Sequence, residues 1–173
     1  LGPEYKSEIR EKIGHRTISA RVRLVDMMHD AERIADAYKC IGVSYIVVLY
    51  LPEEYSHLTP GYDKVISEMK RIGGIMKSHG LKLLYHNHDF EFVTLPDGCY
   101  GLDDIYRQID ADILMVEPDT CWIKVAGEVP SAYIKKYGSR CEVVHLKDFI
   151  KEGNPKNLYK LIGIESEESA EDT

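Results

Sequence analysis

Short apolar runs alternate along the chain with longer segments whose apolar residues recur at helical spacing. The run 44–51 is apolar throughout instead of alternating, which predicts a strand covered on both faces, as the strands of parallel sheets are. Four further strands are predicted at 17–22, from Leu83 onward, at 113–116 and at 141–145. The pattern therefore predicts five strands.

Helices are predicted between these strands. Asp30 is a suitable N-cap for a helix that ends at Gly42. A longer helix is predicted over 60–79, where the pair Gly73-Gly74 weakens the helix without forbidding it. The remaining helices are predicted over 3–14, 101–109 and 130–137. Strands that alternate with helices indicate a parallel sheet with right-handed crossovers.

Composition narrows the class of protein. The chain has 173 residues, of which 44% are hydrophobic, enough for one domain with a core. A net charge of -7 without a basic cluster argues against nucleic-acid binding, and no apolar run reaches the roughly 18 residues of a membrane span. The four cysteines are scattered, which favours reduced thiols and a cytoplasmic protein.

Polar clusters follow three of the predicted strands. They are the stretch from His86 to Glu91, the pair Glu117 and Asp119, and the pair His145 and Asp148. Ligands of parallel α/β folds bind beyond the carboxyl ends of the strands. Three clusters at the same edge therefore predict an active site there. The other histidines, at positions 15, 29, 57 and 79, are predicted to be ordinary surface residues.

Glu91, Asp119 and His145 are the candidate ligands of one divalent ion. Two carboxylates and an imidazole suit Mn²⁺ best, with Mg²⁺, Co²⁺ or Zn²⁺ as alternatives. An ion that bridges a carbonyl and a neighbouring hydroxyl acidifies the C–H bond between them, which isomerases, epimerases and some dehydratases require. Glu117 is a candidate general base, unless it points into the core, and Glu91 and Lys147 complete the candidate catalytic set.

Five residues are candidates for contacts with substrate. His86 and His88 lie two apart on a predicted strand and so face the same side, where they could bind hydroxyl groups or be ligands themselves. Trp122 is either an apolar wall for a sugar or a packed loop residue. Lys147 either holds a phosphate or carboxylate or is a surface charge. Asp148, next to it, completes the set.

Four segments together resemble the sugar phosphate isomerase/epimerase family, within the xylose isomerase-like TIM barrel group. They are 85–92 (YHNHDFEF), 117–122 (EPDTCW), 127–137 and 145–148 (HLKD). The match runs in order from about residue 16 to 148. The resemblance implies a metal site at the carboxyl-terminal rim of the barrel, with Glu91, Asp119 and His145 in the ligand positions.

The resemblance implies an α/β fold of the (β/α)8 TIM barrel type, incomplete here with about five βα units. An open five-stranded doubly wound parallel sheet is the alternative. The partial barrel is predicted to occupy residues 1–150, and residues 151–173 are predicted to be a polar, acidic tail or loop.

Three departures from the family pattern indicate a partial chain. Eight strands normally occupy about 250 residues, and the first two βα units of the family have no counterpart. No residue beyond Asp148 suits the fourth metal ligand, a glutamate. Arg21 stands where the family often has a histidine at a strand end. Open edges of an incomplete sheet favour association, so a homo-oligomer or a complementing chain is a possible partner.

Three functions are consistent with these patterns. The first is a metal-dependent isomerase or epimerase that acts on a sugar or sugar derivative through an enediolate-type intermediate. The second is a metal-dependent lyase or dehydratase acting on a keto-sugar or inosose. The third is an inactive incomplete barrel that needs a partner chain.

Overall fold

A computed structural model describes residues 17–148 of the chain, and within them four strands form one parallel sheet. The order in the sheet is the order in the sequence: β1 (Ser19–Val22), β2 (Tyr45–Val48), β3 (Lys82–His86) and β4 (Met115–Glu117). Each strand pairs in parallel with the next, so all four carboxyl ends lie at the same edge.

Helices follow each strand. The α-helices are α1 (Leu24–Cys40), α2 (Tyr62–Ser78), α3 (Gly101–Gln108), α4 (Thr120–Val125) and α5 (Pro130–Tyr137). Short 3-10 turns occur at Glu53–Tyr55, Phe90–Phe92 and Gly138–Arg140. This order matches the predicted alternation of strand and helix.

The two faces of the sheet have different partners. Ile46, Leu83 and Val116 belong to the large core cluster that includes the apolar residues of the helices. Their chain neighbours Val47 and Leu84, with Met115, form a separate small cluster. Since side chains alternate across a strand, these two clusters lie on opposite faces, with the α-helices packed on one of them.

The sequential strand order favours the barrel over the doubly wound alternative. A doubly wound sheet reverses its strand order at a switch point and carries helices on both faces, whereas this sheet runs β1-β2-β3-β4 without reversal. The prediction of an incomplete α/β barrel is confirmed, since four strands cannot close one.

The predicted fifth strand is wrong. Within the described residues the segment 141–145 makes a single parallel bridge, from His145 to Asp119. The His145 N–H donates to the Pro118 carbonyl (3.0 Å), and the Thr120 N–H donates to the His145 carbonyl (3.1 Å). The backbone of this segment therefore pairs with the β4 side of the sheet only beyond the end of β4, and no ladder of backbone hydrogen bonds precedes that bridge.

The first described helix begins earlier than predicted. It starts at Leu24 and contains a kink at Asp30, whose φ of -153° and ψ of 72° are not helical. The Asp30 carboxylate accepts a hydrogen bond from the Arg33 N–H (3.2 Å) and so caps the second part of the helix, as the sequence predicted. The helical residues before Asp30 were not predicted, because an N-cap residue at Asp30 indicates that a helix begins there.

Two further side chains differ from the prediction. Trp122 lies in α4 and is only 1% exposed, so it is not a loop residue. His57, predicted at the surface, is 7% exposed and packs its ring on Tyr62 and against Gly101. The absence of a Cβ on Gly101 makes room for this ring.

The predicted helix over 3–14 and the predicted tail over 151–173 lie outside the described residues. Between residues 17 and 148, none of the helices is both long and apolar enough to cross a membrane.

Adjacent glycines in α2 give a test of the helix packing. A Cβ on Gly73 would lie 2.5 Å from the carbonyl oxygen of Ile113, whereas a Cβ on Gly74 would meet nothing within 4 Å. We expect Gly73→Ala to destabilise the protein by roughly 1–3 kcal/mol, because backbone must move. Gly74→Ala should stabilise it by about 0.5–1 kcal/mol through helix propensity. Urea denaturation measures both, and equal effects of the two substitutions would contradict this packing.

Candidate metal centre and active site

A cavity opens at the carboxyl edge of the sheet, where the sequence predicted the site. His86 ends β3, Glu117 ends β4, and His145 bridges to Asp119 just beyond β4. The cavity has a volume of about 140 Å³. Its lining consists of Arg21, Leu49, Tyr50, His86, His88, Asp119, Trp122, His145 and Lys147.

Three of these residues are arranged as metal ligands. One potential ligand atom from each of His86, Asp119 and His145 lies within 4.8 Å of the other two. Oδ2 of Asp119 lies 2.7 Å from Nδ1 of His145 and 3.7 Å from Nε2 of His86. Two of the three predicted ligands, Asp119 and His145, are therefore brought together, and His86 joins them where Glu91 was expected.

The backbone fixes the direction of the Asp119 carboxylate. Oδ1 accepts hydrogen bonds from the N–H groups of Cys121 (2.8 Å) and Trp122 (3.0 Å) at the start of α4. The Asp119 N–H donates to Oδ1 of Asn87 (2.9 Å). This arrangement leaves Oδ2 to face the two histidines.

The atoms that face one another in this cluster have no hydrogen-bond partners within the described part of the chain. They include Oδ2 of Asp119, Nδ1 of His145 and Oε2 of Glu117, all buried. Although Oδ2 and Nδ1 are 2.7 Å apart, their geometry is not that of a hydrogen bond. Buried polar atoms without partners are costly. A divalent cation would satisfy the carboxylate and imidazole donors together, so the residues fit a metal.

Burial keeps the histidines neutral. Burial, together with neighbouring groups such as His88 and Arg21, lowers the pKa of His86 to about 2. Burial likewise lowers the pKa of His145, although the Asp119 carboxylate opposes that shift. Neutral imidazoles offer a lone pair to a metal at neutral pH.

Glu117 lies behind His86 rather than in the cavity lining. Oε2 of Glu117 is 3.7 Å from Nδ1 of His86, whose other ring nitrogen faces Asp119. Oε1 of Glu117 accepts a hydrogen bond from the Arg21 guanidinium (3.3 Å), and burial raises the pKa of the Glu117 carboxyl. A carboxylate behind a ligand imidazole is a common way to orient that ligand.

Aromatic rings surround His88. Its imidazole stacks on Phe90, with ring centroids 5.1 Å apart and planes 5° apart, and lies 5.3 Å from the Trp122 ring. Burial lowers the pKa of His88 to about 4. The neutral ring therefore lines the cavity as a polar group in an otherwise aromatic wall.

Lys147 brings a cation to the Trp122 ring. Its Nζ lies 4.5 Å from the centroid of the Trp122 ring, within the range of a cation–π contact. Lys147 is half-buried and lines the cavity, as a substrate-binding residue must. Asp148 is exposed and does not belong to the cavity lining.

Glu91 is placed elsewhere. Its side chain is fully buried, and its two oxygens accept hydrogen bonds from the Tyr85 hydroxyl (2.5 Å) and the His88 N–H (2.7 Å). Burial raises the pKa of the Glu91 carboxyl to about 7. Because both oxygens are occupied, the prediction that Glu91 is a metal ligand has no support in this geometry.

Asn87 is the functional residue that the sequence reasoning missed. It is 1% exposed and links the end of β3 to the backbone of Asp119. Its position between two histidines in the motif was visible, but its partner is 32 positions away and could be identified only from the structure.

Comparison with known proteins agrees with this fold. The model of the family described as xylose isomerase-like TIM barrel matches residues 15–163. An inosose dehydratase of Clostridium beijerinckii is 28% identical over 149 residues, which cover 83% of this chain and 45% of that protein. The chain thus spans less than half the length of this relative.

Solved structures show the same likeness in three dimensions. A sugar phosphate isomerase/epimerase from Parabacteroides distasonis superposes with a TM-score of 0.76 at 22% identity, over 92% of this chain and 63% of that one. A probable 3-DHS dehydratase from Bacillus anthracis superposes with a TM-score of 0.67 at 13% identity, over 90% and 61%. At these identities the likeness shows the fold alone.

The contact between Asn87 and Asp119 can be tested by stability. Asn87→Ala leaves a buried Asp119 N–H without a partner, so we expect a loss of roughly 1–3 kcal/mol in unfolding free energy. Gln108→Ala is the matched control. It also removes a side-chain amide, one that donates a hydrogen bond to the Asp104 carboxylate, but Gln108 is exposed. Urea denaturation compares the two, and an Asn87→Ala cost no greater than the control would contradict the assignment.

Proposed function

The chain belongs to the xylose isomerase-like TIM barrel family, and we propose that it contributes the metal site of an isomerase or epimerase acting on a sugar or sugar derivative. The convergence of His86, Asp119 and His145 at the carboxyl edge of the sheet is the observation that carries this proposal. The activity is proposed for the whole protein, because the chain spans 45% of the relative described above.

We infer that His86, rather than Glu91, is the third ligand within the described residues. Two imidazoles and one carboxylate suit Mn²⁺, Co²⁺ or Zn²⁺ better than Mg²⁺, which prefers oxygen ligands. A ligand set with two carboxylates, as predicted from the sequence, would favour Mg²⁺ more than this one does. We propose Mn²⁺, because it also accepts the carbonyl and hydroxyl oxygens of a substrate as ligands.

The bound ion would supply Lewis-acid polarisation of a substrate carbonyl and its neighbouring hydroxyl. Oε2 of Glu117 lies 3.7 Å from Nδ1 of His86, where its charge favours this orientation of the ring, and Oε1 keeps Arg21 at the rim. Of the three residues predicted to be catalytic, Lys147 is the one that lines the cavity. We assign to Lys147 the contact with an anionic substrate group.

The remaining lining suits a polyhydroxylated substrate. The neutral His88 imidazole can hydrogen-bond a hydroxyl group, and the Trp122 indole offers an apolar surface to the C–H face of a sugar. A small ketose or cyclic keto-polyol combines both features. The substrate is therefore proposed to be a keto-sugar or its close derivative.

A dehydratase is the second candidate. Several relatives at low identity are inosose dehydratases, from Clostridium perfringens among others. Removal of an α-proton next to a polarised carbonyl is shared by both reactions, which diverge only in whether a β-hydroxyl then leaves. The same residues would serve either outcome, so product analysis decides between them.

A third candidate is an incomplete barrel that needs a partner chain to complete it. Among residues 17–148, β1 pairs on one side only, with β2. A parallel edge strand can accept another strand. A homo-oligomer or a complementing chain would then supply the remaining wall of the cavity, and the isolated chain would be metal-poor and inactive.

Metal binding tests the ligand assignment. We expect one Mn²⁺ per chain, and we expect Asp119→Asn to weaken binding by more than the 10- to 100-fold typical of a group that only supports a ligand. Asparagine keeps the oxygen that caps α4 but replaces Oδ2, so the fold should be retained. His79→Gln, before the amino end of β3, is the control with unchanged affinity. Titration followed by electron paramagnetic resonance measures both, and unchanged binding by Asp119→Asn would refute the site.

Turnover tests the reaction. In the presence of Mn²⁺, we expect the protein to convert a keto-sugar or an inosose, with the products identified by NMR. Lys147→Met should lower kcat/KM by roughly 10- to 100-fold, the equivalent of one lost charge-assisted hydrogen bond, while metal affinity is kept. Lys124→Met, on the exposed side of α4, is the control. An equal effect of both substitutions would contradict the role given to Lys147.

A further inference from the structure

We propose that Glu91 and Tyr85 form a buried positioning pair that holds the chain at His88 and thereby orients the His88 imidazole in the substrate cavity. The inference rests on the proposed function, since it assigns to His88 a place in the substrate site. It gives Glu91 a role other than that of metal ligand. The pair would act through His88 and would not touch the substrate.

The first support is the position of the Glu91 carboxylate. It is 0% exposed, and each oxygen has one short contact: Oε1 with the Tyr85 hydroxyl and Oε2 with the His88 N–H. Carboxylates are rarely buried unless such partners satisfy them. A residue that only filled the core would be apolar here.

The second support is the local chain geometry. The Glu91 side chain reaches back three positions to the His88 backbone, across a turn in which the Phe92 N–H also donates to the Asp89 carbonyl (3.0 Å). Without the Glu91 acceptor, the His88 N–H would be buried without a partner. The carboxylate thus closes the turn that follows β3.

The third support is that Tyr85 is itself held firmly. Its ring is 0% exposed within the large core cluster, on the face of β3 opposite His86. The Tyr106 hydroxyl donates to the Tyr85 carbonyl (3.2 Å). Because Tyr85 is fixed in the core, its hydroxyl fixes the direction of the Glu91 carboxylate. The carboxylate in turn fixes the backbone of the turn after β3.

The consequence appears at the His88 ring. With its backbone held by Glu91, the ring lies between Phe90 and Trp122 and 5.1 Å from the ring of His86. Its Nδ1 is buried without a hydrogen-bond partner within residues 17–148, so it is available to a ligand. Loss of the Glu91 anchor should free this ring without removing any metal ligand.

The test compares Glu91→Gln with Glu91→Ala in the full chain, with two readouts. The first is Mn²⁺ affinity, and the second is the ring ¹H–¹⁵N spectrum of His88 in histidine-labelled, metal-free protein. We expect Mn²⁺ affinity to change less than about 10-fold in both variants, below the usual range for groups that support a ligand directly. In Glu91→Ala the His88 ring signals should broaden or take averaged shifts. In Glu91→Gln, which keeps an acceptor, they should stay sharp.

Two results would overturn the proposal. A loss of Mn²⁺ affinity of about 10-fold or more in Glu91→Gln would mean that Glu91 binds the ion or supports a ligand directly. An unchanged His88 spectrum in Glu91→Ala would mean that Glu91 only fills space in the core. If Glu91→Ala does not fold, Tyr85→Phe replaces it, because this variant keeps the ring and removes one donor; broadened His88 signals support the pair and unchanged signals refute it. Failure of the metal site itself would appear separately, as unaltered binding by Asp119→Asn.

Discussion

The division of the Asp119 carboxylate between the start of α4 and the two histidines is the interaction on which the rest of the site depends. One oxygen caps α4 by accepting from Cys121 and Trp122, which leaves the other facing His86 and His145. A carboxylate free to rotate would lose entropy on binding a metal, whereas this one is already oriented. The same cap fixes the start of the helix that carries Trp122 into the cavity wall.

The parallel sheet brings the partners of Asp119 to it. His86 and Glu117 end neighbouring strands in register with each other, and His145 bridges to Asp119 just beyond the end of β4. Behind this row, Asn87 and Glu91 hold the turn after β3 by hydrogen bonds to backbone groups. The polar residues at the edge are therefore of two kinds: those that face the cavity and those that fix the backbone beneath it.

Much of this arrangement could be predicted from the sequence. The apolar runs located the four strands, and the polar residues after them located the cavity edge, because both patterns follow from local periodicity. The identity of the third ligand could not be predicted in the same way. His86 and Glu91 both belong to one motif, and the choice depends on Tyr85, whose hydroxyl holds Glu91 inside the core. Likewise, the segment 141–145 has the composition of a strand, but its pairing depends on how far it lies from β4.

In the proposed site, His86, Asp119 and His145 share one divalent ion. A crystal of the protein grown with MnCl₂ and measured for anomalous scattering tests it most directly. We expect one strong peak at about 2.0–2.3 Å from Oδ2 of Asp119 and from a ring nitrogen of each histidine, the range of metal–ligand bonds. A manganese peak bound to Glu91 and not to His86, or no peak at this cluster, would contradict it.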